Sequence, residues 1–304
     1  MTLVAVTGAT GFVGQALLEE LASVGIEVRA LARSEQPPRK GVRWTSGHLA
    51  DRRALGRLMK DAEAVIHVAG VVNAPDAAGF EEGNVAGTLA VIEAAKRAGV
   101  RRLIFVSSLS AREPHLSDYG ASKAKAEKLV KASGLDWTIV RPPAIYGPRD
   151  REMFELFRIA RWRVLPMPPR QGRASLIHVA DLARLLVALI PAKRTVSHRV
   201  FEPDDGRPGG WSHYEMARAI GWAVGRRPWV VHLGRAMLDK VAWIDCRLRK
   251  DKAKLTADRV SYMCHPDWVV SERARVPVRL WQAQIETREG LTATARWYRE
   301  QGWL

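Results

Sequence analysis

The chain has 304 residues, of which 47% are hydrophobic, and its 48 Lys and Arg against 32 Asp and Glu give a net charge of +16. This composition is ample for a packed core, and no apolar run approaches the roughly 18 residues of a membrane span. A first strand that starts at residue 3 leaves no room for a signal or transit peptide, so we expect a cytoplasmic protein. The two cysteines stand in no metal-ligand spacing, and no metal site is expected.

The positive charge is concentrated in the second half of the chain. Residues 151–304 contain 28 basic and 16 acidic residues, which is +12 of the net charge of +16. Such an excess could attract nucleic acid, an anionic membrane or an anionic substrate. Because the basic residues are scattered and no nucleic-acid-binding module is recognisable, we favour a solvated basic surface and expect no nucleic-acid partner.

A glycine-rich turn follows the first apolar run of the chain. Residues 3–6 predict a strand, Gly8, Gly11 and Gly14 follow it, and leucines at helical spacing come next. Glycines allow backbone N–H groups to approach a pyrophosphate, and the N-terminus of the following helix favours negative charge. The Gly-x-x-Gly-x-x-Gly spacing differs from the commonest dinucleotide fingerprint, and a tight loop without a ligand is the alternative.

The next strand predicts the choice of cofactor. Residues 26–32 form an apolar run that ends at Arg33, where an acidic residue would bind a ribose 2′-hydroxyl and an Arg accommodates a 2′-phosphate. Glu27 stands at the start of the strand and Glu35 lies beyond Arg33, so we favour NADP(H), with NAD(H) as the alternative if Arg33 only caps the strand. Asp51 begins a later helix, where it could cap the helix, contact an adenine amine, or both.

Two further strands are expected to end at the same edge of the sheet. Residues 64–70 read as a buried strand that contains His67, which we interpret as a core histidine, and ends at Gly70. Residues 102–108 read as another strand whose end carries Ser107 and Ser108. Ligands of open α/β sheets bind outside the carboxyl ends of the strands, which is where both serines are expected.

Tyr119 and Lys123 are the most informative pair. They are four residues apart on a predicted helix that follows Ser117, so they project from one face. A tyrosine hydroxyl, with an ordinary pKa of about 10, is a weak acid or base at neutral pH. An ammonium ~4 Å away contributes about 4 kcal/mol at an effective dielectric constant of about 20, which is enough to bring the hydroxyl into the working range.

Several motifs together resemble the extended short-chain dehydrogenase/reductase family. They are, in order, Thr-Gly-Ala-Thr-Gly-Phe-Val-Gly (7–14), Asn84-Val-Ala-Gly-Thr, Phe105-Val-Ser-Ser, Tyr119-x-x-x-Lys123 and Arg141-Pro-Pro-Ala-Ile-Tyr-Gly-Pro. The last motif is closest to the 3β-hydroxysteroid dehydrogenase and dihydroflavonol-reductase-like branches. The resemblance implies an α/β fold, with a Rossmann-type doubly wound parallel sheet formed by residues 1–150 and 174–202. A smaller, mainly C-terminal α-rich substrate lobe would comprise residues 151–173 and 203–304.

The resemblance also implies the roles of the site residues. Tyr119 would be the catalytic acid/base, Lys123 would lower the pKa of Tyr119 and hold the nicotinamide ribose, and Ser108 would bind the substrate oxygen. The cofactor-binding set would be Gly8, Thr10, Gly11, Phe12, Val13, Gly14, Arg33, Leu49, Asp51, Val68, Ala69, Gly70, Asn84, Ser107, Tyr119, Lys123 and Pro142.

The chain departs from the family's nucleotide-sugar dehydratases after the catalytic serine. Leu109 and Ser110 stand where those enzymes have Asp-Glu, which disfavours dehydration. We therefore expect an NADP(H)-dependent oxidoreductase that interconverts a hydrophobic secondary alcohol and its ketone or aldehyde. The alternatives are a nucleotide-sugar epimerase and a non-catalytic cofactor-binding scaffold. Two-fold dimers are common in the family, so the resemblance also allows a homodimer.

The Trp-rich C-terminal region is interpreted as core, or as an apolar substrate pocket. This interpretation rests on the spacing of Trp222, Met237, Leu238, Val241 and Trp243. The basic cluster at residues 247–252 is expected to be a solvated helix end, and peripheral membrane contact is the less favoured alternative. His178 and Asp181 are expected to serve docking and helix capping rather than catalysis.

Overall fold

A computed structural model describes residues 2–249 and 255–304. The chain divides into two compact units. The first unit comprises Met1–Pro142, Leu182–Glu202 and Val276–Trp281, and the second comprises Pro143–Asp181, Pro203–Arg275 and Gln282–Leu304. Among the described residues, no helix combines the length and the apolar character that a membrane crossing requires.

The described part of the first unit is built around a seven-stranded parallel sheet with the order β11-β6-β5-β4-β1-β2-β3. Its strands are β1 (Leu3–Thr7), β2 (Glu27–Ala32), β3 (Val42–Ser46), β4 (Ala64–His67), β5 (Arg102–Val106), β6 (Asp136–Val140) and β11 (Arg199–Phe201). The order reverses between β1 and β4, which makes the sheet doubly wound. The expected Rossmann-type fold is therefore confirmed.

Helices connect these strands because parallel neighbours need crossovers. They are α1 (Phe12–Ser23), α2 (Arg52–Met59), α3 (Ala77–Phe80), α4 (Gly87–Ala98) and α5 (Asp118–Lys131), with a π-helical turn at Glu81–Ala86 and a 3-10 turn at Leu109–Arg112. Leu17, Leu18 and Leu21 are fully buried on α1, as their spacing predicts. A core cluster that includes Leu55, Leu103 and Ile139 packs between helices and sheet.

The second unit contains smaller sheets and more helix. Its strands are β7 (Ala144–Tyr146), β8 (Val164–Met167), β9 (Arg173–Ala174), β10 (Leu176–His178), β12 (Trp211–Ser212), β13 (Trp229–His232) and β14 (Asp267–Trp268). Its helices are α6 (Phe154–Ala160), α8 (His213–Ala223), α9 (Arg235–Arg249), α10 (Ala257–Cys264) and α11 (Thr287–Glu300), and the unit boundary falls within α7 (Val179–Ala188). A capping box between Ser212 and Glu215 begins α8.

The unit boundaries differ from the domain limits expected from the sequence. Residues 143–150 and 174–181 belong to the second unit rather than to the Rossmann unit. The reason is that β7 pairs with β10 in a separate two-stranded sheet and not with the seven-stranded sheet. Within the second unit, Asp181 accepts hydrogen bonds from the N–H groups of Gln284 and Ile285, at 2.8 and 3.1 Å.

The expectation that the C-terminal aromatic and aliphatic residues form core is wrong for most of them. Of the set singled out from the sequence, Leu238 is buried, whereas the other four are exposed: Trp222, Met237, Val241 and Trp243. Helical spacing identifies residues on neighbouring faces of a helix but does not identify which face is covered. Within the basic cluster, residues 247–249 end α9, and residues 250–252 lie outside the described part of the chain.

Candidate active site

The glycine turn joins the end of β1 to the beginning of α1. Gly8 has a φ of +73°, and a Cβ there would lie 2.5 Å from the backbone N of Ala69. A Cβ at Gly14 would lie 2.0 Å from the carbonyl oxygen of Gly8. Both positions therefore require glycine. Gly11 is the N-cap of α1 and provides no side-chain cap, so the first-turn N–H groups suit an anionic group such as a pyrophosphate.

A buried hydrogen-bond chain fixes the loop after β4. Thr88 Oγ1 donates to the carbonyl oxygen of Asn84 at 2.6 Å, so it accepts from Nε2 of His67 at 3.1 Å. Nδ1 of His67 is then the acceptor for Thr7 Oγ1 at 2.6 Å, and Thr7 Oγ1 accepts the N–H of Ala69 at 3.3 Å. Burial, together with the charge of Lys123, lowers the pKa of His67 to about 3. The imidazole of His67 is thus neutral, and its hydrogen bonds help to fix the loop at Val68–Gly70.

Asn84 lies in the π-helical turn and connects this loop to α5. Its Oδ1 accepts the N–H of Val71 at 2.7 Å, and its Nδ2 donates to the carbonyl oxygen of Val71 and to Oγ of Ser122, both at 2.9 Å. Both amide hydrogens therefore bind groups of the chain. A Cβ on Gly70 would lie 3.0 Å from Oδ1 of Asn84 and 3.2 Å from Nζ of Lys123. Loop, π-helical turn and α5 thus meet at Gly70.

Two serines at the end of β5 have different surroundings. Ser107 is buried and its hydroxyl donates to Oε1 of Glu127 at 2.7 Å. Ser108 is half-buried, and its Oγ accepts from the N–H and the hydroxyl of Ser110 at 3.2 and 2.9 Å. The hydroxyl hydrogen of Ser108 has no acceptor among the described residues, so it can be donated to a ligand oxygen.

The helix α5 begins at the expected position and presents Tyr119 and Lys123 one turn apart. Ser117 caps it by accepting the N–H of Gly120 at 3.0 Å. A Cβ on Gly120 would lie 2.8 Å from the carbonyl oxygen of Ser110, so the first turn of α5 packs closely against the turn that follows Ser108. Tyr119 is half-buried, and its ring centroid lies 6.0 Å from that of Phe80.

Lys123 is a buried cation beside this turn. Its Nζ donates to the carbonyl oxygen of Val106 at 2.9 Å and lies 5.1 Å from the ring centroid of Phe105. Burial lowers the pKa of Lys123 to about 8, and the negative charge of Glu127 opposes this effect. The other two hydrogens of the ammonium group find no partner among the described residues, so they can be donated to a ligand.

A buried ion-pair network lies one turn further along α5. Arg141 donates two 2.7 Å hydrogen bonds to the two carboxylate oxygens of Glu127, from Nε and Nη2. It also approaches Glu202 at 3.3 Å, and Glu202 in turn pairs with Arg112 at 3.4 Å. Burial alone would raise the pKa of Glu127, but the hydrogen bonds and charge of Arg141 hold it below its ordinary value. Glu127 is therefore a carboxylate.

Sequence reasoning missed this network and the role of Ser110. The local signal for Glu127 was its place four residues after Lys123, and Arg141 was noted only as the first residue of its motif. The contact between them joins α5 to the end of β6, and no local pattern specifies it.

The remaining predicted cofactor residues lie along the same edge of the first unit. Thr10, Phe12 and Val13 belong to the glycine turn and the start of α1, and Arg33 is exposed at the end of β2. Asp51 caps α2 by accepting the N–H groups of Arg53 and Ala54 at 2.9 and 3.0 Å. The side chain of Leu49 fills the space beside Gly87, and the carbonyl oxygen of Pro142 accepts the N–H of Leu109 at 3.0 Å.

The fold and the glycine turn define a Rossmann protein suited to a dinucleotide. A sequence model of the NAD dependent epimerase/dehydratase family matches residues 4–202. The chain belongs to this family, among the extended short-chain dehydrogenases/reductases, and it is an NAD(P)-dependent enzyme. The resemblance noted from the motifs is thus confirmed.

Several relatives are reductases, including the following two. A ceramide reductase of Caulobacter vibrioides is 39% identical over 313 aligned residues, which cover 99% of this chain and 96% of the relative. A 4-hydroxy-2-methyl-3-oxo-4-farnesyl-3,4-dihydroquinoline-1-oxide ketoreductase of Stigmatella aurantiaca is 33% identical, over 67% of this chain and 68% of the relative. Among solved structures, MoeE5 in complex with UDP-glucuronic acid and NAD has a TM-score of 0.74 at 24% identity, covering 99% of this chain and all of the other.

Proposed function

We propose that the protein is an NADP(H)-dependent reductase of a long-chain lipid ketone, and that Tyr119, Lys123 and Ser108 perform the chemistry. The observation that carries the proposal is the position of Lys123, a buried ammonium fixed to Val106, beside Gly70 and one turn from Tyr119. Within the described part of the chain, no carboxylate contacts this ammonium. Burying a cation without such a contact is costly, which is expected where it serves a ligand.

Ser108, Tyr119 and Lys123 would each have a separate role in carbonyl reduction. The nicotinamide supplies the hydride to the carbonyl carbon when the cofactor is bound. Ser108 donates its hydroxyl hydrogen to the carbonyl oxygen, and Tyr119 delivers the proton that converts this oxygen to the alcohol. Lys123 would hold the nicotinamide ribose, and its positive charge would stabilise the phenolate that Tyr119 becomes when it has given up this proton. The product is the secondary alcohol.

The glycine turn and the exposed Arg33 support the cofactor assignment. The N–H groups at the start of α1 would bind the pyrophosphate, and Arg33 would bind a 2′-phosphate. Asp51 uses its Oδ1 to cap α2, which leaves its other oxygen to accept from an adenine amine. Asn84 and Ser107 donate their side-chain hydrogens to groups of the chain and not to the cofactor in this proposal. Their role would be to position the neighbouring backbone.

The relatives support a hydrophobic substrate. One is named for ceramide and the other acts on a farnesylated oxo compound. Leu109 and Ser110 are buried and offer no carboxylate after Ser108, so dehydration has no acid or base there. We therefore propose a ketone with long alkyl chains, and the ketone form of a ceramide is the first compound to test.

The test is a substrate comparison with the full chain. NADPH or NADH is supplied with the ketone form of a ceramide in mixed micelles, with a short-chain ketone, or with UDP-glucose. The proposal predicts ketone-dependent oxidation of NADPH and a secondary alcohol detected by mass spectrometry. Epimerisation of UDP-glucose without net oxidation would instead identify a nucleotide-sugar epimerase, and cofactor binding without any turnover would identify a scaffold.

A further inference from the structure

Four tryptophan side chains of the second unit are largely exposed. Trp162 is 82% exposed, Trp222 is 61%, Trp229 is 80% and Trp243 is 65%. A tryptophan that is buried removes 150–250 Å² from water, so each of these leaves a large apolar area in contact with solvent. Where exposed apolar side chains form one face, they mark an interaction surface.

The β8–β13 ladder presents one such apolar face. The strands are parallel, and Trp229 pairs with Val164 and Val231 with Pro166. These four residues are exposed, whereas Leu165 and Met167, on the other face, are buried. Alternation along a strand places the four exposed residues on a single side of the ladder. Trp162 is also exposed and lies two residues before β8.

The helix α9 presents a second apolar face. Met237, Val241, Ile244 and Leu248 are exposed and lie four, three and four residues apart, which places them in one stripe along the helix. A different face of α9, with Leu238 and Ala242, packs against Val260, Leu233 and Leu255. The chain thus covers one apolar face of α9, and no described residue buries the other.

Basic side chains border both faces. Arg161 and Arg163 flank Trp162, and Arg226 and Arg227 shortly precede Trp229. A pocket of about 260 Å³ is lined by Arg161, Arg226 and Arg299 together with Val224 and Leu304. On α9, the guanidinium of Arg247 lies 5.4 Å from the ring centroid of Trp243. Three guanidinium groups around one pocket would attract an anionic head group.

We infer that the second unit binds the surface of an anionic lipid bilayer. Its docking surface comprises the β8–β13 face (Val164, Pro166, Trp229 and Val231), the neighbouring Trp162, and the α9 stripe (Met237, Val241, Ile244 and Leu248). Tryptophans beside basic residues are typical of the membrane interface, where rings sit at head-group level and cations attract anionic lipids. The inference goes beyond the proposed reaction and needs neither cofactor nor substrate.

The charge of the chain argues against a second copy as the occupant. In a two-fold dimer the same patch faces itself, so Arg161, Arg163, Arg226 and Arg227 of both copies would be brought together. The chain as a whole carries +16, which adds to this repulsion. An anionic bilayer complements the same charges.

Vesicle flotation with the full chain tests the inference. We expect binding to phosphatidylglycerol vesicles at low salt, weaker binding as salt rises, and little binding to phosphatidylcholine vesicles. The double variant Trp162→Ser/Trp229→Ser and the single variant Leu248→Ser should each weaken binding about tenfold. The control Val278→Ser, at a residue of the first unit that is 73% exposed compared with 79% for Leu248, should leave it unchanged. Equal melting temperatures establish that the variants are folded.

A further double variant distinguishes the contribution of charge to vesicle binding from that of apolar contact. Arg161→Gln/Arg226→Gln should weaken binding about fivefold for each charge. The inference fails if phosphatidylglycerol vesicles do not bind the protein, or if the surface variants bind like Val278→Ser. It also fails if the wild-type protein is a dimer that the tryptophan variants dissociate without changing vesicle binding. Because no ketone is used, loss of vesicle binding would leave the proposed reduction untouched.

Discussion

The Nζ of Lys123 donates a hydrogen bond to the carbonyl oxygen of Val106 at 2.9 Å, which joins α5 to the last residue of β5. This bond fixes an ammonium at the edge of the sheet where the glycine turn and the loop at Gly70 also lie. Burying this cation lowers the free energy of unfolding, and the size of that effect depends on pH.

Replacing Lys123 with Met should reveal this cost. Burial lowers the pKa of Lys123 to about 8, compared with about 10.4 in an unfolded chain. Between these values the unfolded state binds more protons, so the burial cost is complete below pH ~8 and is lost as the pH rises to ~10.4. Chemical denaturation should show wild type gaining stability relative to Lys123→Met over this window, by on the order of 3 kcal/mol. A difference that stays constant with pH would contradict this account.

Removing the charge of Glu127 should affect both stability and the pH profile. Glu127→Gln leaves Arg141 buried with one carboxylate fewer, which should cost about 3 kcal/mol. Because the charge of Glu127 also raises the pKa of Lys123, the alkaline limb of the kcat profile should move to lower pH. Glu93, a half-buried residue that pairs with the exposed Arg97, is replaced with Gln as the control for both measurements. A destabilised variant with an unmoved pH profile would make Glu127 a purely structural residue.

Substitution by alanine should have opposite effects on stability at two helical glycines. Gly14→Ala places a Cβ against the carbonyl oxygen of Gly8 and should cost about 1–3 kcal/mol of stability and most of the cofactor binding. Gly56→Ala, on α2, meets nothing within 4 Å and should stabilise the protein by up to about 1 kcal/mol. Thermal unfolding with and without NADP⁺ measures both effects. Tight NADP⁺ binding by Gly14→Ala would remove the glycine turn from the cofactor site.

Arg33 should determine which dinucleotide binds more tightly. A charge-assisted hydrogen bond to a 2′-phosphate contributes about 1.5–3 kcal/mol, so Arg33→Gln should weaken NADP⁺ binding by at least about tenfold and leave NAD⁺ binding unchanged. Arg43→Gln, which removes an exposed pair with Glu27, is the matched control. Titration followed by tryptophan fluorescence gives the Kd values. Equal losses for both dinucleotides would show that Arg33 does not contact the 2′-phosphate.

The parts of the site that could be predicted from sequence are those that local patterns specify. The glycines after β1 and the start of α5 after Ser117 depend on neighbouring residues, and the structure has both where they were expected. Glu127, Arg141 and Glu202 form one network although Arg141 and Glu202 are 61 positions apart. The sequence alone does not distinguish a charged residue that is solvated from one that is paired in the interior, so this network could not be predicted.

The second unit shows the same limit for apolar residues. The spacing of Met237, Val241 and Trp243 predicts a helix, and α9 is a helix. The spacing does not indicate which face meets the rest of the chain, and Leu238 occupies the covered face. Likewise residues 143–150 and 174–181 were expected in the Rossmann domain, yet β7 and β10, which lie in these segments, pair with each other in the second unit.

The most direct test of the proposed reaction is the kcat for NADPH-dependent reduction of the ketone form of a ceramide by Tyr119→Phe. Tyr214→Phe, at an exposed tyrosine of α8, is the matched control. We expect Tyr119→Phe to lower kcat by about 10²–10⁴-fold, the usual contribution of a positioned acid or base, with a much smaller effect on the Kd for NADPH. Tyr214→Phe should behave like wild type. Undiminished turnover by Tyr119→Phe would contradict the assignment of Tyr119 as the proton donor.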